Sequence, residues 1–314
     1  MKALQQIIRR VAENPSHSWA LATLVQTEGS TYRKPGARLL VDSDGGTLGV
    51  LSGGCLEEEI GRRGRKVIID GCPVLLTFDT RVLYGCDGQL KILVEPLSPA
   101  EQNGNLITKI GELLGRRDVC RIRTCFGGGT LGSELLPPDI LVAERRGTFI
   151  DTVPLPVRLL LFGTGPEIAP INELAGNLGW MVERFSHPSE LAEDFRSDTQ
   201  TAALVMTHNF GRDLLALDRL LPLPLRYLGL LGPRKRHAEL LKRLDEYRPL
   251  DFDTGLKILF APAGLDIGSE APEEIALAIV SEVAAVLADR CGGFLRERKT
   301  DIHASSARAT EAAA

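Results

Sequence analysis

Val157 to Phe162 forms an apolar run that leads straight into Gly163-Thr164-Gly165-Pro166-Glu167-Ile168, and this junction restricts the fold more than any other stretch. A short apolar run without alternation predicts a strand buried on both faces, the habit of parallel sheets. Glycines directly after such a strand let the chain turn tightly into a helix and let a ligand approach the backbone. The pattern repeats. Strands are expected at Ala203 to Met206 and Tyr227 to Leu231, and helices at Asp213 to Leu221, Lys235 to Leu244 and Pro272 to Asp289. This alternation predicts an α/β architecture with an open parallel sheet, whose ligands bind beyond the carboxyl ends of the strands. That edge would gather Gly163, Gly165, Thr207, His208, Asn209 and the cations Arg234, Lys235 and Arg236, which open a helix and suit a phosphate.

Two departures weaken a dinucleotide site. Ile168 replaces the third glycine of the fingerprint, and Pro170 occupies an early helical position, so the helix is expected to start late or to kink. By spacing, Glu183 would be the acid that holds a ribose. Binding of NAD(P) is therefore not the expectation. His208 follows a strand and would face the cleft, as a functional group or as a plain loop residue. His17, His187, His237 and His303 lack partners at ligand spacing and read as surface residues.

Pro154-Leu155-Pro156 is a stiff connector, so the expected domains are 1–150, of mixed α+β type, and 157–300, Rossmann-like, with 301–314 as a disordered tail. In the first domain a helix should end at Asn14-Pro15 and a strand should run from Trp19 to Thr27. Thr31 to Arg38 then joins a Pro-Gly turn to the cations Arg33, Lys34 and Arg38; it is a solvated turn or a phosphate loop. A hairpin through Asp44-Gly45 delivers the chain to Gly53, Gly54 and Cys55, ahead of a helix that starts with three glutamates. Cys55 thus sits beside a helix N-terminus, as a thiolate, next to a bound anion, or as a buried corner residue. After a strand from Val74 to Phe78, Gly85-Cys86-Asp87-Gly88 is a second glycine-flanked cysteine, followed by a strand from Gln89 to Glu95. Cys72, Cys120 and Cys125 lack such flanking and read as packing residues, while Gly127-Gly128-Gly129 and Pro137-Pro138 mark turns.

A net charge of −4 with no basic block excludes nucleic acid as an expected partner. No apolar run approaches the roughly 20 residues of a membrane span, and the N-terminus reads as an amphipathic helix, so the cytoplasm is the expected compartment. Six cysteines among 314 residues, without Cys-x-x-Cys spacing, give neither a disulfide scaffold nor a zinc site.

Thr27-Glu28-Gly29-Ser30 with Arg33-Lys34-Pro35-Gly36-Ala37, then Ser52-Gly53-Gly54-Cys55-Leu56-Glu57, then Gly85-Cys86-Asp87-Gly88 before Val94-Glu95-Pro96, together resemble the XdhC/CoxI family of xanthine dehydrogenase accessory factors. The second half resembles that family's C-terminal Rossmann domain through its Gly-x-Gly turn, Met206-Thr207-His208 and Gly264-Leu265-Asp266-Ile267-Gly268. The resemblance implies a cofactor chaperone rather than an enzyme. Such a protein binds molybdenum cofactor (molybdopterin), protects it during sulfuration by a cysteine desulfurase, and delivers it to a xanthine dehydrogenase-type molybdenum hydroxylase. It also implies a homodimer, and ligand or sulfur chemistry at Cys55 and Cys86, including contact to molybdenum. Aligned through it, Ser186 falls where a ribose-binding acid would stand. Gly53, Gly54, Arg33, Lys34, Arg38, Gly163, Gly165, His208 and Arg234 to Arg236 are then candidates for holding the cofactor. An NAD(P)-dependent oxidoreductase is the alternative, and a purely structural assembly factor is a third reading.

Overall fold

The computed structural model describes residues 1–29, 31–54, 56–79, 88–99, 104–138, 140, 145–247 and 256–299. The chain divides into two compact units, the first ending at Leu155 and the second beginning at Pro156. The tail expected at 301–314 lies outside the described residues, as does His303.

In the first unit, helix α1 (Lys2–Glu13) precedes strands β1 (Trp19–Gly29), β2 (Arg38–Val41) and β3 (Thr47–Gly49). Helix α2 (Glu57–Asp70), strands β4 (Val74–Asp79) and β5 (Gly88–Leu97), and helix α3 (Leu106–Gly115) follow. A separate antiparallel sheet is formed by β6 (Cys120–Cys125), β7 (Gly132–Leu136) and β8 (Thr148–Val153), in the order β7-β6-β8. The main sheet is antiparallel in the order β3-β2-β1-β5-β4.

Strand β1 is buried along most of its length because both faces of this sheet are covered. Ala20, Ala22 and Leu24 pack with Ile60 and Val67 of α2, whereas Trp19 and Leu21 pack with α1, α3 and Cys120 and Ile122 of β6. Each fully buried Leu or Ile contributes about 1.5–3 kcal/mol. Helix α2 carries two glycines, which weaken a helix by roughly 1 kcal/mol each. Its contacts explain them. A Cβ on Gly61 would lie 2.3 Å from the Gly45 carbonyl oxygen, and one on Gly64 would lie 2.8 Å from Val41, so the glycines let α2 lie against the hairpin.

The second unit is a parallel sheet of β9 (Arg158–Phe162), β10 (Met181–Phe185), β11 (Thr201–Val205), β12 (Tyr227–Leu230) and β13 (Leu259–Phe260). Its strand order is β10-β9-β11-β12-β13, with every pair parallel. Alternation splits each strand between two cores. Leu159, Leu161, Ala202 and Leu204 face α4 (Ile168–Leu178) and α7 (Pro272–Leu287), while Leu160, Phe162, Ala203 and Val205 face α5 (Phe210–Leu220) and α6 (Arg234–Tyr247). The expected late start or kink at Pro170 does not occur: α4 begins at Ile168, with Pro170 in its first turn. A first-turn N–H has no partner within the helix, so proline sacrifices nothing there. Among the described residues, no helix is long and apolar enough to cross a membrane.

Candidate functional site

Strand order reverses between β9 and β11, and the crevice beyond their carboxyl ends is where sheets of this kind bind ligands. Two glycines shape it. Gly163 has φ +150°, and a Cβ there would lie 2.4 Å from the Met206 carbonyl oxygen. A Cβ on Gly165 would lie 2.6 Å from Glu167 Oε2 and 2.9 Å from His208 Nε2. The second glycine therefore clears space for two side chains of the protein itself. Glu167 is 8% exposed, and among the described residues its Oε2 has no hydrogen-bond partner. His208 Nε2 stands 3.7 Å from that oxygen, with the imidazole half exposed.

His208 holds a left-handed backbone (φ 55°), a conformation that costs a non-glycine residue on the order of 1–3 kcal/mol. Its neighbours enforce it. Thr207 donates from its N–H and its hydroxyl to Asp213 Oδ1, at 3.2 and 2.6 Å, and Asn209 caps α5 by accepting from the Arg212 N–H at 3.0 Å. The other oxygen of the buried Asp213 accepts from Arg236. Arg236, expected to meet a phosphate, is therefore engaged by Asp213, which leaves Arg234 and Lys235 as the exposed cations of this helix start. His237 is corrected too: it is 3% exposed, not a surface residue, and burial pushes its pKa below the ordinary histidine value.

The same loop is poor in phosphate donors. Pro166 and Pro170 supply no N–H, the Ile168 N–H bonds the Gly165 carbonyl at 3.3 Å, and Glu167 brings a carboxylate. Glu183 lies inside β10 and pairs with Arg158 at 3.2 Å, so it is not at the strand end where a ribose would be held. Ser186 follows that strand end, and its N–H donates to Glu190 at 3.1 Å.

In the first unit, the corner before α2 is closed by Glu57. Its carboxylate accepts from the N–H groups of Leu51 and Ser52 at 2.8 and 2.9 Å, from the Ser52 hydroxyl at 2.6 Å and from the Leu56 N–H at 3.1 Å. Burial alone would raise its pKa, but the bonds from Ser52 and its neighbours outweigh burial and hold the carboxyl below the usual range. Gly53 (φ +83°) lies under the ring of the exposed Tyr32, and among the described residues a Cβ on Gly54 (φ +112°) would meet nothing within 4 Å. Cys55 and Cys86 lie outside the described residues.

Arg33 and Lys34 are exposed on the neighbouring loop, but Arg38 is turned inward. It is paired with Asp151 at 2.8 Å, its side chain 5% exposed, so it serves the interior instead of a phosphate. Glu95 points to the same interior, accepts from the Ser133 N–H at 2.8 Å, and has its pKa raised by burial. Cys120 is a core residue as expected, and Cys125 is half-buried. Cys72 is exposed, which corrects its reading as a packing residue. Among the described residues, no group of three or more His, Cys, Asp or Glu is placed to hold a metal ion.

Sequence reasoning passed over Glu167, Asp213 and Glu95. Glu167 was hidden in plain view, because an acid inside a glycine loop reads as a helix-start residue until its side chain is seen to fill the glycine gap.

Comparison with known proteins matches two family models: one described as the XdhC and CoxI family over residues 13–79, the other as the XdhC Rossmann domain over residues 159–283. A Bacillus subtilis (strain 168) protein named as a probable xanthine dehydrogenase subunit is 27% identical, over 84% of this chain and 91% of its own. The molybdenum cofactor insertion chaperone PaoD of Escherichia coli (strain K12) is 25% identical, over 85% of this chain and 82% of its own. A crystal structure described as a xanthine dehydrogenase from Bacillus halodurans superposes with a TM-score of 0.76 at 26% identity, covering 92% of this chain and 97% of that one.

Proposed function

Because the chain belongs to the XdhC and CoxI family, we propose that it is an accessory protein that carries molybdenum cofactor and inserts it into a molybdenum hydroxylase of xanthine dehydrogenase type. The observation that carries this reading is the likeness, along most of the chain, to a molybdenum cofactor insertion chaperone and to a protein named as a probable xanthine dehydrogenase subunit. The cargo is held as molybdopterin, sheltered while a cysteine desulfurase supplies sulfur, and released to the client. The carrier works in the cytoplasm as a homodimer and performs no turnover of its own.

Cys55 and Cys86 act as ligands of molybdenum or as a sulfur relay, because thiolates suit a soft metal and persulfide chemistry better than any other side chain. Arg33 and Lys34, on the exposed loop near the Gly53–Gly54 corner, and the exposed Arg234 and Lys235 are the cations we assign to the cargo's phosphate. The oxidoreductase alternative meets a physical obstacle. Glu167 places a carboxylate against Gly165, where a diphosphate would be repelled.

The test is the molybdenum and pterin content of protein purified without oxygen from cells that make the cofactor, beside Cys55→Ala and Cys86→Ala. Near-stoichiometric pterin, lost in the variants, is expected. Pterin-free protein that binds NAD(P) instead would overturn the reading.

A further inference from the structure

Glu167 is a buried acceptor without a donor. A carboxylate beside the start of α4 suits the helix dipole, yet this side chain makes no capping hydrogen bond, and among the described residues its enclosed Oε2 has no hydrogen-bond donor. Burying an unpaired acceptor is costly, so the arrangement gains if a ligand completes it. The surroundings are built for one. Gly165 gives up a side chain so that Glu167 and His208 can meet over it, and Thr207, Asn209 and Asp213 hold His208 in its left-handed backbone. Among the described residues the imidazole makes no hydrogen bond, and at 3.7 Å from Glu167 it is beyond hydrogen-bond range. It can swing aside.

The chemistry of the ligand follows from the acceptor. A phosphate would be repelled, and one carboxylate with one imidazole is a poor cage for a metal ion. A planar group with two parallel N–H donors matches a carboxylate in bidentate fashion. Pterins present such an edge, where the ring N3–H stands beside the 2-amino group.

We propose that Glu167 receives the amino-pyrimidinone edge of the cargo's pterin ring, with His208 as its movable cover; the identity of the ligand rests on the carrier reading above. This makes Glu167 a specificity residue. It separates pterins from lumazines, which carry a carbonyl oxygen in place of the amino group and would set that oxygen against the carboxylate.

The experiment titrates the full-length protein with two fluorescent probes, 6-hydroxymethylpterin and 6-hydroxymethyllumazine. Wild type is expected to favour the pterin by about tenfold or more, since a site built to accept from an N–H rejects its replacement. Glu167→Gln keeps the shape but presents one donor and one acceptor, so it should erase or invert the preference. Gly165→Ala, whose methyl group would displace the carboxylate, should weaken pterin binding with circular dichroism unchanged. Equal binding of both probes by wild type, or an intact preference in Glu167→Gln, overturns the inference. The cargo content of the same preparations separates this from the carrier role. Wild type and Glu167→Gln equally loaded and equally selective would sink the site alone. Unloaded wild type with a Glu167-dependent pterin preference would sink the carrier reading alone.

Discussion

Arg38 Nη2 lies 2.8 Å from Asp151 Oδ2, with the two side chains 5% and 18% exposed, and the pair ties strand β2 of the main sheet to strand β8 of the smaller one. The Arg38 Nη1 group also donates to the Gly36 carbonyl at 3.0 Å, which anchors the loop that carries Arg33 and Lys34. Removing one partner of a buried pair leaves the other charge uncompensated. Arg38→Ala should therefore lose about 3–5 kcal/mol of stability in chemical denaturation. Arg33→Ala, at an exposed position, should stay within about 0.5 kcal/mol of wild type. Equal losses would mean that Arg38 is not the interior strut described above.

The Glu57 carboxylate gives stability a pH dependence of known sign. Its folded-state pKa is depressed, so its contribution is fully present above the ordinary carboxylate range and is lost as the pH falls through the folded value. In thermal denaturation between pH 7 and pH 3, Glu57→Gln should show a shallower decline than wild type. At neutral pH the variant should be less stable by about 1–2 kcal/mol, the scale of a lost cap. Parallel curves would refute the role of Glu57 as the lock of this corner.

Thiol labelling distinguishes the cysteines by burial. Cys120 is fully enclosed, and burial pushes its pKa up to about 11, so thiolate is scarce near neutral pH. Iodoacetamide at pH 8 followed by peptide mass spectrometry should modify the exposed Cys72 and Cys291 and spare Cys120 until denaturant is added. Early labelling of Cys120 would show that the core around β6 opens readily.

Nicotinamide cofactors should bind poorly. Isothermal titration of wild type with NADH or NADPH is expected to show no saturation below about 1 mM, a binding free energy near −4 kcal/mol, because Glu167 faces the loop where diphosphate would sit. Micromolar affinity would restore the oxidoreductase reading.

Much of the architecture was legible in the sequence, for identifiable reasons. Strands β9, β11 and β12 are short apolar runs bounded by turn residues, and β1 showed itself as an apolar, partly β-branched run that stops at turn residues. The small sheet was passed over, although Cys120, Ile122 and Thr124 alternate with Arg121 and Arg123 in the period of a half-buried strand. Helix α3 was missed as well, despite the Asn105 side chain that caps it. His237 was misjudged because the lack of a partner at ligand spacing says nothing about burial. It shares a helical face with Leu240 and Leu244, and that spacing is what buries it.

Periodicity, turn chemistry and spaced glycine motifs are local properties of the chain, and they were enough to give the parallel sheet of the second unit and the family. Which charges face inward was fixed by long-range packing. In sequence Arg38 and Arg236 look like exposed phosphate-binding cations, and Glu167 looks like an exposed helix-start acid. Two are engaged by Asp151 and Asp213, distant in the chain, and the third is enclosed beside His208. Burial and pairing of this kind depend on contacts between residues tens of positions apart, and a local pattern does not encode them.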